Sequence, residues 1–296
     1  MGPRSFLATV AVLTLLLVAL TLWVYPSRTD FAASNPYWNG FRVASQQLGI
    51  RSVVSLRFLL GQPRGTALIV IPYVSPSPAD RETIKQYVNA GGILILMDDF
   101  GFGNAVLERL GVGARFSGQL LVDPLFNFKS RRLPRIAEFP AGPVSEGVRG
   151  LILNRATVIS EADGLRVLAR SSPVSFLDAN ENGQRDAGEE GGPFAVAAIV
   201  PARAGYLVLV SDPSMLLNSM LGLADNRRFL QGLFRVAGDG ALVYLDEAHL
   251  AGAPLDVVKD GLNRFRGFLA SPLVAFAASA AGLALPLALL WRSTRR

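Results

Sequence analysis

The 296-residue chain contains no cysteine. That absence excludes disulfides, thiolate zinc sites and a cysteine nucleophile, and it leaves the redox compartment undecided. Histidine occurs once, at His249, so any imidazole chemistry rests on one ring. Lysine is scarce too. Lys85, Lys129 and Lys259 are the three, and arginine supplies the rest of the basic side chains behind a formal net charge of +6. These charges build no run of five or six, so a nucleic-acid-binding arm is not expected. No G-x-x-x-x-G-K-[ST] loop is present to cradle phosphates, so the DEAH string at Asp246–His249 does not make a helicase box. The stretch GFGNAV from Gly101 has Val106 where a dinucleotide turn needs its third glycine, and no G-x-S-x-G nucleophile elbow occurs. No internal repeat or low-complexity segment stands out.

What the chain has in excess is apolar surface: 50% of its residues are hydrophobic and its mean hydropathy is +0.35. The run FLATVAVLTLLLVALTLWVY supplies about 20 mostly apolar positions, enough to cross a hydrocarbon core of roughly 30 Å. A cleaved signal peptide would have an apolar region of only about 7 to 15 residues and a small-x-small cleavage site. YPSRTDFAAS offers no convincing site, so a retained membrane helix is expected over residues 5–25. A second uncharged run, GFLASPLVAFAASAAGLALPLALLW, predicts another span over 269–291, with Trp291 at the interface. Two spans place both termini on one side. Arg4, Arg292, Arg295 and Arg296 outside the spans are nearly balanced by Arg28, Lys259, Arg264 and Arg266 on the domain side. The arginine directly before a long apolar run resembles a signal anchor, so cytoplasmic termini and an extracytoplasmic main domain are expected.

Between the spans the pattern is α/β. Tyr37, Phe41, Ala44 and Leu48 share a helical face that Gly49 would end. IRSVVSLRFLL and ALIVIPYV read as buried strands. Ser77 as N-cap, Pro78 at the first helical position and Gly91 past the end delimit a helix. ILILMDD is an all-apolar strand, and a short helix follows from Ala105 to Leu110. After a β-rich stretch over 113–201 the alternation resumes with YLVLVSD, a helix opened by Asp225, and ALVYLDE. Such alternation predicts βαβ units and a Rossmann-like, mostly parallel sheet, with 113–201 as a β-rich insertion. An amphipathic helix over 254–268 places Leu255, Val258, Leu262, Phe265 and Leu269 on one face, suited either to the bilayer surface or to the domain itself.

Two constellations carry possible chemistry. In DANENGQRDAGE, residues 178–189, Asp178 is first, Asn180 third, Asn182 fifth, Gly183 sixth, Gln184 seventh, Asp186 ninth and Glu189 twelfth. This is the ligand spacing of a twelve-residue calcium loop. The flanking VSFLD and FAVAAIV predict that it closes a β-hairpin, with calcium as a structural staple; a solvated Asn/Gly turn is the plainer reading. The second constellation lies at strand ends, where open α/β sheets bind ligands: Asp98, Asp99, Ser211, Asp212, Asp246 and His249. A hydrolase could use these groups, although acidic residues also end strands simply because the chain leaves the core there.

Taken together, NPYWNGFRVASQQLG, LIVIPYVSPSPADRETIKQYVNAGGILILMDDFGFGN, VSDPSMLLNSMLGLADNRRF and VYLDEAHL resemble a family known as domain of unknown function 4350, over most of Asn35–Leu250. The resemblance implies a class I glutamine amidotransferase-like fold held between two membrane spans. Amidotransferase chemistry needs a cysteine nucleophile, which this chain lacks, so no catalytic residue carries over. The resemblance also implies accessory roles beside ABC transporters or MoxR-type ATPases. The expected function is therefore a membrane-anchored, non-catalytic binding or scaffolding module spanning residues 35–250, with a membrane-tethered hydrolase as the alternative.

Overall fold

The apolar runs become strands because their side chains can be buried on both faces of a sheet. In a computed structural model that describes residues 2–160, 164–202, 205–269 and 271, the strands are β1 (Arg51–Val53), β2 (Thr66–Val70), β3 (Ile93–Met97), β4 (Leu120–Val122), β5 (Arg135–Ile136), β6 (Leu151–Ile152), β7 (Arg166–Arg170), β8 (Phe176–Asp178), β9 (Ala195–Pro201), β10 (Tyr206–Val210) and β11 (Leu242–Asp246). The helices are α1 (Pro3–Val24), α2 (Arg42–Leu48), α3 (Pro78–Asn89), α4 (Asn104–Leu110), α5 (Asn226–Phe234) and α6 (Pro254–Leu269).

Seven strands form the central sheet in the order β1-β11-β2-β3-β10-β9-β7. The first five are mutually parallel, β9 runs antiparallel to them beside β10, and β7 at the edge is antiparallel to β9. Side chains alternate across the sheet. Ile93, Ile95 and Met97 of β3 pack with Phe41 near α2 and with Phe229, Leu230 and Leu233 of α5. Leu94 and Leu96 pack on the other face with Ile84, Tyr87 and Val88 of α3 and Val106 and Leu107 of α4. Each fully buried side chain of this kind contributes about 1.5–3 kcal/mol. Helices cover both faces, which is how a parallel sheet satisfies a strand apolar on both sides. Within α5, Gly232 is required by close approach: a Cβ there would lie 2.3 Å from the Val144 carbonyl oxygen.

Local signals hold where they are strongest. Ser77 caps α3, its side chain accepting from the Asp80 N–H, and Gly91 takes a positive φ of 98° just beyond the helix. Two readings need correction. Only Arg51–Val53 of IRSVVSLRFLL is strand, because Leu56–Gly61 coils into a 3-10 helix that buries Leu56 and Leu59. The helix expected from Tyr37 starts at Arg42, and a turn before it leaves Tyr37 outside. The stretch 113–201 is β-rich, but two of its strands, β7 and β9, extend the central sheet and do not stand apart.

Residues Arg28–Ala251 form one unit, and α1 and α6 belong to another. Helix α1 has 22 residues, none buried, and is apolar enough to be a membrane span or a signal sequence. Between α1 and α6, the Ser27 hydroxyl donates to Asp256 at 2.8 Å and the Lys259 ammonium donates to the Tyr25 carbonyl. In α6, Val257, Val258, Phe265 and Phe268 are exposed. The second span expected over 269–291 lies, but for its first residues, outside the described residues.

Candidate functional site

Strands β3 and β10 are parallel neighbours, so the residues after them leave the sheet side by side. Alternation then sends Asp98 and Asp99 to opposite faces. The buried Asp98 carboxylate accepts from the N–H groups of Phe100 at 2.9 Å, Gly101 at 3.0 Å and Gly103 at 2.5 Å, which fixes the turn into α4. Burial raises its pKa while these three donors pull it back. Asp212, also buried, accepts from the N–H groups of Asn154 and Ser214, each at 2.7 Å. Burial lifts its pKa to about 6 against those bonds.

Asp99 has no such support. No side-chain hydrogen bond or ion pair to another residue holds its carboxylate among the described residues. Burial, then the charges of Asp212 and Asp98, push its pKa up to about 8, with Arg155 opposing. It lines a crevice of about 220 Å³ beyond the strand ends, together with Tyr73 after β2, Phe100 after β3, Trp38 ahead of α2, and Asn154 and Arg155 from the β-rich stretch. The rings of Phe31, Tyr73, Phe100 and Phe102 form a ladder with successive centroid separations of 5.6, 5.7 and 5.9 Å. The Tyr73 hydroxyl is held protonated by burial and by the neighbouring charges of Asp99, Asp30, Asp212 and Asp98. At the rim Arg155 pairs with Glu181 at 2.6 Å. Phe31 (φ 60°), Arg155 (φ 52°) and Glu181 (φ 58°), all lining the crevice, have left-handed backbones. Such conformations cost on the order of 1–3 kcal/mol each and collect at functional sites.

The six strand-end residues do not gather in one place. β11 is separated from β3 by β2, so Asp246 leaves the sheet roughly 10 Å from Asp99 on a strand spacing of about 4.8 Å. His249 Nδ1 pairs with the buried Asp246, and Nε2 faces Asp80 of α3 at 3.4 Å. Burial alone would lower the His249 pKa, but Asp246 and then Asp80 outweigh it and raise it. The ring thereby ties the end of β11 to the start of α3. The Ser211 hydroxyl is buried and has no hydrogen-bond partner among the described residues. Thus Ser211 and His249 form no nucleophile–base pair among the described residues.

The calcium-type loop is ordered by its own side chains. Asp178 accepts from the N–H groups of Asn182 at 3.0 Å and Gly183 at 2.7 Å. Glu189 accepts from Ala179 at 2.9 Å and Asp186 at 3.0 Å. The amides of Asn180 and Asn182 both donate to one Asp186 oxygen, each at 2.8 Å. The side chains of positions three, five and nine therefore meet at one Asp186 oxygen, and the Asn180 amide oxygen accepts from the Asn182 N–H at 3.0 Å. Gln184, the seventh, presents its N–H to the Asn182 side chain at 2.6 Å. Among the described residues, no three His, Cys, Asp or Glu side chains are gathered closely enough to hold a metal ion. The β-hairpin expected around the loop is not formed: β8 pairs with β4, and β9 with β7 and β10. A single bridge, Phe176 to Gly191, closes the loop instead, because the long run of β9 completes the central sheet.

The strand-end rule applied to β2 would have found Tyr73. Trp38, Asn154, Arg155 and Glu181 come from segments distant in sequence and carry no local signal. The arrangement defines a mixed α/β domain with a mostly parallel sheet and an aromatic, carboxyl-lined crevice at its strand ends. The chain belongs to the DUF4350 family, a domain of unknown function, whose family model matches residues 33–234. Among solved structures it is similar to the mmIFT52 N-terminal domain, at 14% identity and a TM-score of 0.54, covering 72% of this chain and 96% of that one. That likeness shows the fold alone. Cytoplasmic Protein STM3548 from Salmonella typhimurium (13% identity, TM-score 0.37, 64% of this chain and 78% of that) and the beta-galactosidase from Bacillus circulans sp. alkalophilus (15%, 0.35, 58% and 22%) are similar too weakly to support an argument. No curated protein matches the sequence.

Proposed function

We propose that this protein is a membrane-anchored, non-catalytic binding module that receives a ligand or a partner segment in its strand-end crevice. The observation behind this reading is the crevice itself: an aromatic ladder and an Asp99 side chain unpartnered among the described residues stand where α/β sheets bind ligands, while Ser211 and His249 form no pair. The amidotransferase-like scaffold, without any cysteine, serves as a platform for recognition. Helix α1, with the second apolar run, anchors the chain with cytoplasmic termini and an extracytoplasmic domain. The resemblance to accessory proteins of ABC transporters and MoxR-type ATPases makes a subunit of such a system the expected partner.

Calcium at the 178–189 loop is a structural part of the same reading, with oxygens from Asp178, Asn180, Asn182, Gln184, Asp186 and Glu189 replacing the present internal hydrogen bonds. Arg131 and Arg132 donate to the carbonyls of Gly183 at 2.8 Å and Glu181 at 2.7 Å, and Glu181 reaches the crevice rim, so the loop's shape bears on the crevice wall.

The test is crosslinking of the tagged protein in native membranes, with wild type compared to Trp38→Ala and Phe100→Ala. Both side chains are exposed, 71% and 56%, so folding is spared. A transporter or ATPase subunit captured by wild type and lost in the variants is the expected result. Recovery of the protein alone in every sample overturns the reading.

A further inference from the structure

The crevice holds more negative than positive chemistry. Asp30 and Asp99 line it, Asp98 and Asp212 add their charges to those acting on Asp99 and Tyr73, and Arg155, the cation that acts on Asp99, is engaged with Glu181. Carboxylates packed this way repel one another unless protonated or matched by a positive charge. The matching charge is not supplied by the surrounding side chains, since Asp99 has no ion-pair partner among the described residues.

The remaining walls are aromatic. The rings of Tyr73 and Phe100 meet edge to face at 5.7 Å, and Trp38 lies largely exposed at the mouth. Ring faces carry negative charge density and attract cations, most strongly where water is excluded. A neutral sugar or an anion would gain from the rings or from Arg155, but would leave the carboxyl group unmatched. At about 220 Å³ the cavity suits a group the size of one side chain.

We propose that this crevice recognises a protonated amine, with Asp99 and Asp30 as the charge partners and Trp38, Tyr73 and Phe100 as the ring walls. This assignment rests on the reading of the crevice as a binding site and names the chemistry it selects. The amine is either a small free molecule or a lysine side chain of a partner, since both present the same ammonium group. Because Asp99 sits among Asp30, Tyr73, Asp98, Asp212, Arg155 and Glu181 and titrates near 8, binding releases a proton from it and tightens as the pH rises from 6 to 9.

The test is calorimetric titration of the full-length protein in detergent micelles with n-butylammonium and, separately, with the peptide acetyl-Gly-Ser-Lys-Ser-Gly-amide; 1-butanol and the acetyl-lysine form of the peptide are the neutral controls. Saturable binding of the charged probes, absent with the controls and weakened at least tenfold by Asp99→Asn, is the expected result. Binding of both probes identifies the ammonium group itself as the recognised element, and binding of the peptide alone identifies a partner's lysine. Phe100→Ala, at an exposed position, should also weaken binding and keeps the test independent of any effect of the buried substitution. Failure of both probes to bind, equal binding of the controls, or binding unchanged in both variants overturns the assignment. If the amines fail while Trp38→Ala and Phe100→Ala still abolish partner capture, the binding-module reading stands and only the ligand class falls.

Discussion

Replacing Asp99 by asparagine should make the protein more stable, and increasingly so as the pH rises. In the unfolded chain this carboxyl group ionises near 3.8, whereas in the fold burial and the charges of Asp212 and Asp98 hold it to about 8. An acid whose folded pKa is raised supports stability below its unfolded pKa, and that support is lost as the pH climbs through the folded value. Just over three pH units separate the unfolded pKa from neutrality, and at about 1.4 kcal/mol per unit the ceiling at pH 7 is roughly 4 kcal/mol. The crevice is open to solvent on one side, and screening there halves the effect to about 2 kcal/mol. Asparagine keeps the shape of the protonated acid and carries no charge to desolvate. Urea unfolding of full-length wild type and Asp99→Asn in micelles should therefore coincide at pH 4, separate by about 2 kcal/mol at pH 7 and separate further at pH 8. A variant less stable than wild type at pH 8, or an offset equal at every pH, would refute the reasoning.

Calcium at a hundredfold excess over its Kd should raise the stability of the full-length protein by about 2.7 kcal/mol in thermal melts, and Asp178→Ala should abolish that calcium-dependent increment; an identical melt with calcium and with chelator would reduce the loop to a turn. His249→Ala should cost about 1–3 kcal/mol by parting β11 from α3. Because the folded pKa of His249 is raised, its ionic contribution is complete below the ordinary value of 6.5 and is lost as the pH rises through the folded one, so denaturant midpoints should fall further at pH 6 than at pH 9.

The residues that follow β3, β10 and β11 show how far local pattern reaches. ILILM and YLVLV are apolar throughout, which forces burial on both faces, and with the Ser77 cap and Gly91 they specify parallel strands joined by helices. The sequence by itself also determined that aspartates stand at those strand ends, that no cysteine chemistry is possible, and that Pro3–Val24 is apolar enough to cross a bilayer. Tertiary structure alone decided what the aspartates do. Strand order separates Asp246 and His249 from Asp99, since spatial neighbours in a sheet are set by crossovers that no local period encodes. It also moved β9 out of the hairpin around the calcium-type loop and into the central sheet between β10 and β7, where six of its seven residues are buried. The crevice was illegible for the same reason. Trp38, Tyr73, Asp99, Asn154 and Glu181 come from five separate stretches of chain, and only packing around a shared strand end brings an acid without a partner against a wall of rings.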